Sequence, residues 1–480
     1  MNYRQARWER EIDGETVNEP LLAEKNTETV HHADSTLPEE VTRDELTLPE
    51  LTEPEIASHY TRLSQMNYSI EHGPYPLGSC TMKYNPKFVE DLAGLDAGAI
   101  HPARPDEFAQ GTLELLHELQ ELLAEIGGMD AVTLQPPAGA AGEFTGLLTA
   151  QAYHRANGEA EQRQEVIVPA SAHGTNFASA SLAGYDVVEF SSDDEGRVNV
   201  AALEAAVGDE TAALMLTNPN TLGLFERNIE EIADIVHDAG GLLYYDGANL
   251  NALLGRARPG DMGFDIMHYN VHKTFASPHG GGGPGAGPIG VVDHLAEFLP
   301  EPHIRENKGG NYELYSPAQS VGKVHGYQGN WLVLLKTYAY ISRLGDEGLK
   351  DTSSMAVLNA NYLASRIDLD IPYEPFHHEF VASAGEQDAA EFAKGMLDQG
   401  VHPPTTKWPE IVDEALMTEP TEAVSKEMLD VLAEAFADTS DLSETELADA
   451  PTTTATERID QTSAARNPRL SWQAVEETDD

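Results

Sequence analysis

Cysteine is almost missing from this chain: Cys80 is the only one in 480 residues. No intrachain disulfide can form, no cysteine cluster can hold zinc or iron–sulfur, and a reducing cytosol is the expected compartment. Positive charge is scarce as well. Only 29 Lys and Arg stand against 81 Asp and Glu, a formal net charge of -52, which repels phosphate backbones and anionic headgroups and so excludes nucleic-acid and membrane-surface roles. Long apolar runs are lacking too. No stretch approaches the roughly 20 apolar residues that span a bilayer, and Met1 through Glu11 mixes both charge signs without an apolar centre, so no signal peptide is expected.

What is present in excess is acid, spread over the whole chain rather than gathered in a tail. Such a surface is strongly hydrated and self-repelling, of the kind halophiles use, and implies a salty cytoplasm. An apolar fraction of 41% supports a folded globule, and 480 residues suit a two-domain enzyme. Residues 1–60 are polar, acidic and interrupted by prolines, and read as an arm without its own core, packed on a partner. A large domain is expected over 61–335, a smaller one over 336–437, and an acidic, loosely packed tail over 438–480 with Leu470–Trp472 as a docking point.

Leu113, Leu115, Leu116, Leu119, Leu122 and Leu123 recur at helical spacing. Short apolar runs follow at Val132–Leu134, Val166–Val168, Val187–Phe190, Ala213–Leu216, Leu242–Tyr245 and Ile289–Val292, separated by helical stretches such as Ile229–Asp238. This rhythm predicts an α/β fold with a largely parallel sheet and helices on both faces, whose ligands bind in the loops beyond the carboxyl ends of the strands. A long helix is expected from Trp331 to Leu349, then a second αβ region from Ala356 to about Ala437. There is no internal repeat.

Several candidate residues fall at those strand ends. Phe264–Val271 reads as a strand with His272-Lys273-Thr274 directly after it. Lys273 there, beside the run Gly280–Gly283, can form an imine with an aldehyde cofactor once desolvated, although a lone lysine is more often a surface residue. The glycine-rich stretch through Pro288 carries no Gly-Lys-Ser/Thr and precedes a strand, so it reads as room for a cofactor or a second subunit rather than a nucleotide loop. Asp246, after Leu242–Tyr245, is either a turn residue or the anion that keeps a pyridine nitrogen protonated. The loop Ala140–Gly142 opens an apolar helix, and its small side chains let backbone N–H groups approach a phosphate; an ordinary helix entry is the alternative. His173, in Ser171–Asn176, offers an imidazole to stack on a planar ring, or is a core or turn histidine. The three side chains on three strand ends say more together than singly.

These motifs, with Leu77–Lys83, Gln135–Glu143, Tyr245–Asn251, His378-Glu379-Phe380 and Met417–Glu422, resemble the glycine decarboxylase (P-protein) family of the glycine cleavage system, over roughly residues 60–430. In that family one long chain or two half-length chains supply two copies of the fold, and only one copy carries the lysine. This chain resembles the lysine-bearing half, subunit 2. The resemblance implies the aspartate-aminotransferase-like fold of fold-type I PLP-dependent transferases, with pyridoxal 5'-phosphate (PLP) as cofactor and no metal. It implies glycine as substrate, a subunit 1 partner in a heterodimer or heterotetramer, and a lipoylated H-protein that accepts the aminomethyl group after carbon dioxide leaves. It assigns the Schiff base to Lys273, ring stacking to His173 and the pyridine nitrogen to Asp246. Ala140, Ala141, Gly142 and Thr274 contact the phosphate, Asn249 joins the cofactor site, and His272 assists proton transfer. Two positions depart from the family: Phe177 stands where proline is usual, and Ala138 where the long form commonly has serine. Rival readings are a stand-alone PLP lyase or transaminase, a non-catalytic half of a pair, and a nucleotide-binding module. Whether Cys80 and Lys83 line the site or brace it stays open, with bracing favoured.

Overall fold

The computed structural model describes residues 4–12, 15–22, 25, 38–41, 51–278, 285–468 and 470. Its centre is a seven-stranded sheet of β1 (Ala131–Thr133), β2 (Glu165–Pro169), β3 (Asp186–Phe190), β4 (Thr211–Thr217), β5 (Leu242–Asp246), β6 (Ile266–His268) and β7 (Ile289–Val291). The order across the sheet is β1-β7-β6-β5-β4-β2-β3. Only β7 runs antiparallel to its neighbours; the other pairings are parallel.

Every residue of β4 and β5 is buried, which is why these strands read as continuous apolar runs rather than alternating ones. The alternation survives in what each side chain touches. Leu214 and Leu216 pack in one core with helix α1 (Gln110–Gly127) and Ile232 and Val236 of α4 (Ile229–Asp238), whereas Ala213 and Met215 pack in another with Leu147 and Ala150 of α2 (Gly139–Ala156) and Ala180 of α3 (Gly174–Leu182). Helices thus cover both faces, as expected. In α1 the leucine stripe Leu113, Leu116, Leu119 and Leu123 is fully buried, and the helix stops at Gly128, whose left-handed φ of 69° lets the chain turn into β1.

The strand expected over Phe264–Val271 is shorter. Tyr269 N–H still bonds Pro288 O, but the Asn270 carbonyl accepts from Lys273 and Thr274 N–H at 2.9 and 3.1 Å and starts a single helical turn, α5 (Val271–Thr274). Lys273 therefore sits one helical turn beyond the strand end. The run Gly280–Gly283 lies outside the described residues.

Helix α6 (Trp331–Ala364) breaks once, at Gly345, whose φ/ψ of 58°/−173° only glycine adopts readily. Its second half packs Ala360 and Leu363 into a separate core with a three-stranded antiparallel sheet, β8 (Phe380–Ser383), β9 (Thr405–Thr406) and β10 (Ala415–Thr418), in the order β8-β10-β9. Helices α7 (Ala389–Asp398) and α8 (Lys426–Ser440) close that core through Phe392 and Phe436.

Loose packing does not begin at residue 438. Helix α8 continues to Ser440, a Ser443/Glu446 capping box starts another turn, and Leu447, Ala450 and Ala455 are buried. The Asp398 carboxylate holds Thr452 and Thr453 N–H at 2.8 Å each, and the Arg7 guanidinium donates to the Thr452 and Thr454 carbonyls at 2.6 and 2.8 Å. The described residues around Arg4 and Arg7 in the N-terminal arm thus pack on their own chain. Leu470 is 87% exposed, and Ser471 and Trp472 lie outside the described residues. Among the described residues no helix is long and apolar enough to cross a membrane.

Candidate active site

Four strands deliver side chains to one place. Asp246 is the last residue of β5. β2 runs into His173, which caps α3: its Nδ1 accepts from Thr175 N–H at 3.2 Å and from the Thr175 hydroxyl at 2.7 Å. β6 leads to Lys273 on α5, and β1 leads through Gln135–Ala138 to the start of α2. Between them lies a cavity of about 310 Å³ whose lining includes Ala140, His173, Asp246, His272 and Lys273, together with Ser79 and Cys80. The first N–H groups of the 18-residue helix α2 have no intrahelical partner, and its N-cap, Ala138, has no side-chain oxygen to satisfy them. They leave a positive helix end at this cavity.

The charges in the cavity are arranged by burial. Asp246 accepts from Asn176 Nδ2 at 3.2 Å, the Thr217 hydroxyl at 3.1 Å and Ala248 N–H at 3.0 Å. Burial opposes its ionisation, but His268, the Lys273 charge, the Ala248 N–H and the Asn176 amide together hold its carboxyl below the usual range. Glu143, buried on the first turns of α2, goes the other way: burial and then the charge of Asp246 push it up to about 8. One amide joins the two, since Asn176 Nδ2 also donates to Glu143 Oε2 at 3.0 Å. The result is an ionised aspartate beside a protonated glutamic acid, two carboxyls driven apart by environment. His268 is pushed down to about 4, chiefly by burial, so at neutral pH it faces Asp246 Oδ1 at 3.4 Å as a neutral ring, with Tyr244 OH at 3.1 Å from Nδ1. Burial, then the Lys273 charge, also hold the His173 imidazole below its ordinary value, against the pull of Asp246. Lys273 Nζ donates to the Ser79 carbonyl oxygen at 2.8 Å.

Four expected cofactor residues stand off the cavity lining. Gly142 lacks a side chain for packing: a Cβ there would meet Gly287 O at 2.7 Å. Ala141 lies between it and Ala140 in the first turn of α2. Asn249 is turned away, its amide donating to Pro219 O and to Glu379 Oε1, each at 2.9 Å. Thr274 is wholly buried, and its hydroxyl has no hydrogen-bond partner among the described residues. Cys80 lines the cavity, whereas Lys83 braces it: buried, it donates to Asn251 Oδ1, the Thr274 carbonyl and Glu422 Oε1 at 2.8, 2.8 and 2.7 Å. Glu143, Asn176, Thr217 and His268 received no role from the sequence. Their spacing to Asp246 follows no local period, and only the sheet brings them together.

The donor set fits pyridoxal phosphate. An amine, a buried ionised carboxylate, a neutral imidazole and an uncapped helix end surround one cavity, and an orphaned hydroxyl follows the amine in sequence. Close backbone approach at the phosphate end is possible because Gly139 has no Cβ, which would otherwise meet Asn270 Oδ1 at 2.1 Å.

Comparison with known proteins points the same way. A family model described as glycine dehydrogenase, C-terminal domain, matches residues 352–457, and one described as aminotransferase class-V matches residues 144–283. The chain is 68% identical to the probable glycine dehydrogenase (decarboxylating) subunit 2 of Halobacterium salinarum, covering 98% of this chain and 99% of that protein. It is 51% identical to the protein so described from Thermoplasma volcanium, covering 98% and 100%. Among solved structures it is similar to an inhibitor-bound glycine decarboxylase (P-protein) of the glycine cleavage system, at 24% identity and a TM-score of 0.71 over 84% of this chain and 93% of that one. It is also similar to the apo cysteine desulfurase of Thermococcus onnurineus, at 14% identity and a TM-score of 0.59 over 78% and 96%. At these identities the solved structures speak for the fold, which is that of fold-type I PLP enzymes.

Proposed function

Because this chain belongs to the glycine dehydrogenase (decarboxylating) subunit 2 family, we propose that its cavity is the site where glycine is decarboxylated and that Lys273, Asp246 and His173 carry the work. The chain is a PLP-dependent enzyme of the glycine cleavage system. The observation that carries the residue assignment is that the Lys273 amine, the Asp246 carboxylate, the His173 ring and the start of α2 line the same cavity.

When bound, pyridoxal phosphate supplies the electron sink that lets the Cα–carboxylate bond of glycine break. Lys273, whose amine lies at the cavity, would be the residue that holds the cofactor covalently. Asp246, buried and kept ionised, would hold a proton on the pyridine nitrogen and so deepen that sink. Glu143, protonated, adds no second negative charge beside Asp246. His173 would offer a neutral face for stacking, and the N–H groups opening α2 would hold the phosphate. His272, on the cavity wall beside the lysine, would move a proton at the reacting carbon. The aminomethyl group passes to the lipoyl arm of H-protein, and a lysine-free subunit 1 completes the enzyme. The acidic surface belongs to a salt-rich cytoplasm.

The test is Lys273→Ala in the co-expressed pair of subunits. The pyridoxal absorption band, its fixation to the chain by borohydride and the exchange of labelled bicarbonate into glycine are all expected to vanish. Retention of the band and of the exchange refutes the assignment.

A further inference from the structure

The segment Pro76–Lys83 is bound on one side to the C-terminal sheet and on the other to the cofactor lysine. Gly78 N–H bonds Met417 O at 3.2 Å, Glu419 N–H bonds Pro76 O at 3.0 Å, and the Thr405 hydroxyl bonds Gly78 O at 2.9 Å. Within the segment, Ser79 and Thr81 both have left-handed φ values, 64° and 47°, which cost free energy for residues with a Cβ. Such a turn persists only if its surroundings hold it. Two wholly buried acids that flank strands of the C-terminal sheet, Glu379 before β8 and Glu419 after β10, do so. Glu379 Oε2 accepts from Ser79 N–H at 2.9 Å, while Glu419 takes both donors of Thr81, the N–H at 2.8 Å and the hydroxyl at 2.6 Å. The other oxygen of Glu379 accepts from Asn249, in the turn that follows Asp246, at 2.9 Å. The held turn puts the Ser79 carbonyl on Lys273 Nζ and Cys80 on the cavity wall.

We propose that Glu379 and Glu419 are positioning residues for Lys273, holding the strained turn Ser79–Thr81 so that the Ser79 carbonyl aims the lysine amine into the cavity. This rests on the reading that Lys273 holds the cofactor. The work of the pair is hydrogen bonding more than charge. The two carboxyls come within 4.8 Å of one another and of the His378 ring, all wholly buried. Burial and the charge of Glu419 push Glu379 far above the usual carboxyl range, and burial pushes Glu419 up to about 7. His378, pushed down to about 3, is neutral and supplies no balancing charge. A neutral side chain that keeps one acceptor oxygen for the Ser79 or Thr81 N–H therefore does the same positioning work.

The experiment labels the full chain, freed of cofactor, with a limiting acylating reagent, and reads the rate at Lys273 by mass spectrometry. E379A and E419A are expected to raise that rate about tenfold, the scale of one lost hydrogen bond to a charged group. E379Q and E419Q, which keep an acceptor for Ser79 or Thr81, are expected to stay within about twofold of the unsubstituted chain. Equal rates in the alanine and glutamine variants overturn the proposal, because charge alone would then govern the lysine; so does an unchanged rate in the alanine variants. If circular dichroism shows that the alanine variants fail to fold, Thr81→Val removes only the hydroxyl that Glu419 binds. It is expected to raise the Lys273 rate where Thr81→Ser does not, and equal rates in these two overturn the proposal. Added pyridoxal phosphate separates the two claims. Protection of Lys273 in every variant, with rates otherwise unaltered, sinks the positioning role alone, whereas no protection in the unsubstituted chain sinks the cofactor reading.

Discussion

Glu143→Gln isolates the cost of burying a carboxyl beside Asp246. In the folded chain the Glu143 carboxyl is pushed up to about 8 from an ordinary value of 4.5, by burial and by the Asp246 charge. A carboxyl with a raised folded value binds its proton more tightly folded than unfolded. Its contribution is fully present below the unfolded value and is lost as pH rises through the folded one. Between pH 6 and pH 9 this one group therefore takes away about 2–3 kcal/mol of stability, from the difference in proton affinity at 1.36 kcal/mol per unit. Glutamine keeps the oxygen that accepts from Asn176 and Ser179 but cannot ionise. The advantage of the cofactor-free variant over the unsubstituted chain should therefore grow by that amount between pH 6 and pH 9, measured by urea unfolding at constant KCl. Parallel pH profiles for the two proteins would refute the reasoning, since Glu143 would then be ionised in the folded state or exposed to water.

Asp246→Asn keeps an acceptor for the Ala248 N–H, puts an NH2 where the other oxygen accepts from Asn176 and Thr217, and removes the buried charge. It should lower glycine decarboxylation by about 100-fold, the scale of losing one preorganised electrostatic contact, with an unchanged far-UV spectrum; activity within threefold would show that the carboxylate faces no pyridine nitrogen. The surface charge makes a separate prediction. With a net charge of -52, self-repulsion is relieved by screening, so the melting temperature should rise with KCl through the molar range, and a flat or falling profile would remove the salt-adaptation reading.

The sheet was legible because its central strands, covered on both faces, are apolar nearly throughout, as in Leu242–Tyr245, and are followed by small or polar turns. Lys273, Asp246 and His173 were legible for the same local reason: each follows a strand within a few residues, and strand ends of such sheets gather on one side. The exact bounds of β6 were not, because the Asn270 carbonyl begins a helical turn where the apolar pattern still reads as strand. The tail beyond residue 438 read as loose from its composition, yet Leu447 and Ala450 are buried and Asp398, some 54 residues earlier, ties down Thr452.

What the sequence determines by itself is what local pattern can encode: an α/β chain, a lysine, an acid and an imidazole at or just beyond strand ends, one cysteine, and a surface of one sign. The pairing of Glu143 with Asp246 through Asn176, the Lys83 brace and the hold of Glu379 and Glu419 on Ser79–Thr81 were decided by tertiary structure alone. The contacting groups are 33 to 339 residues apart in sequence, and their protonation depends on how much water the fold removes around them, which no local pattern records.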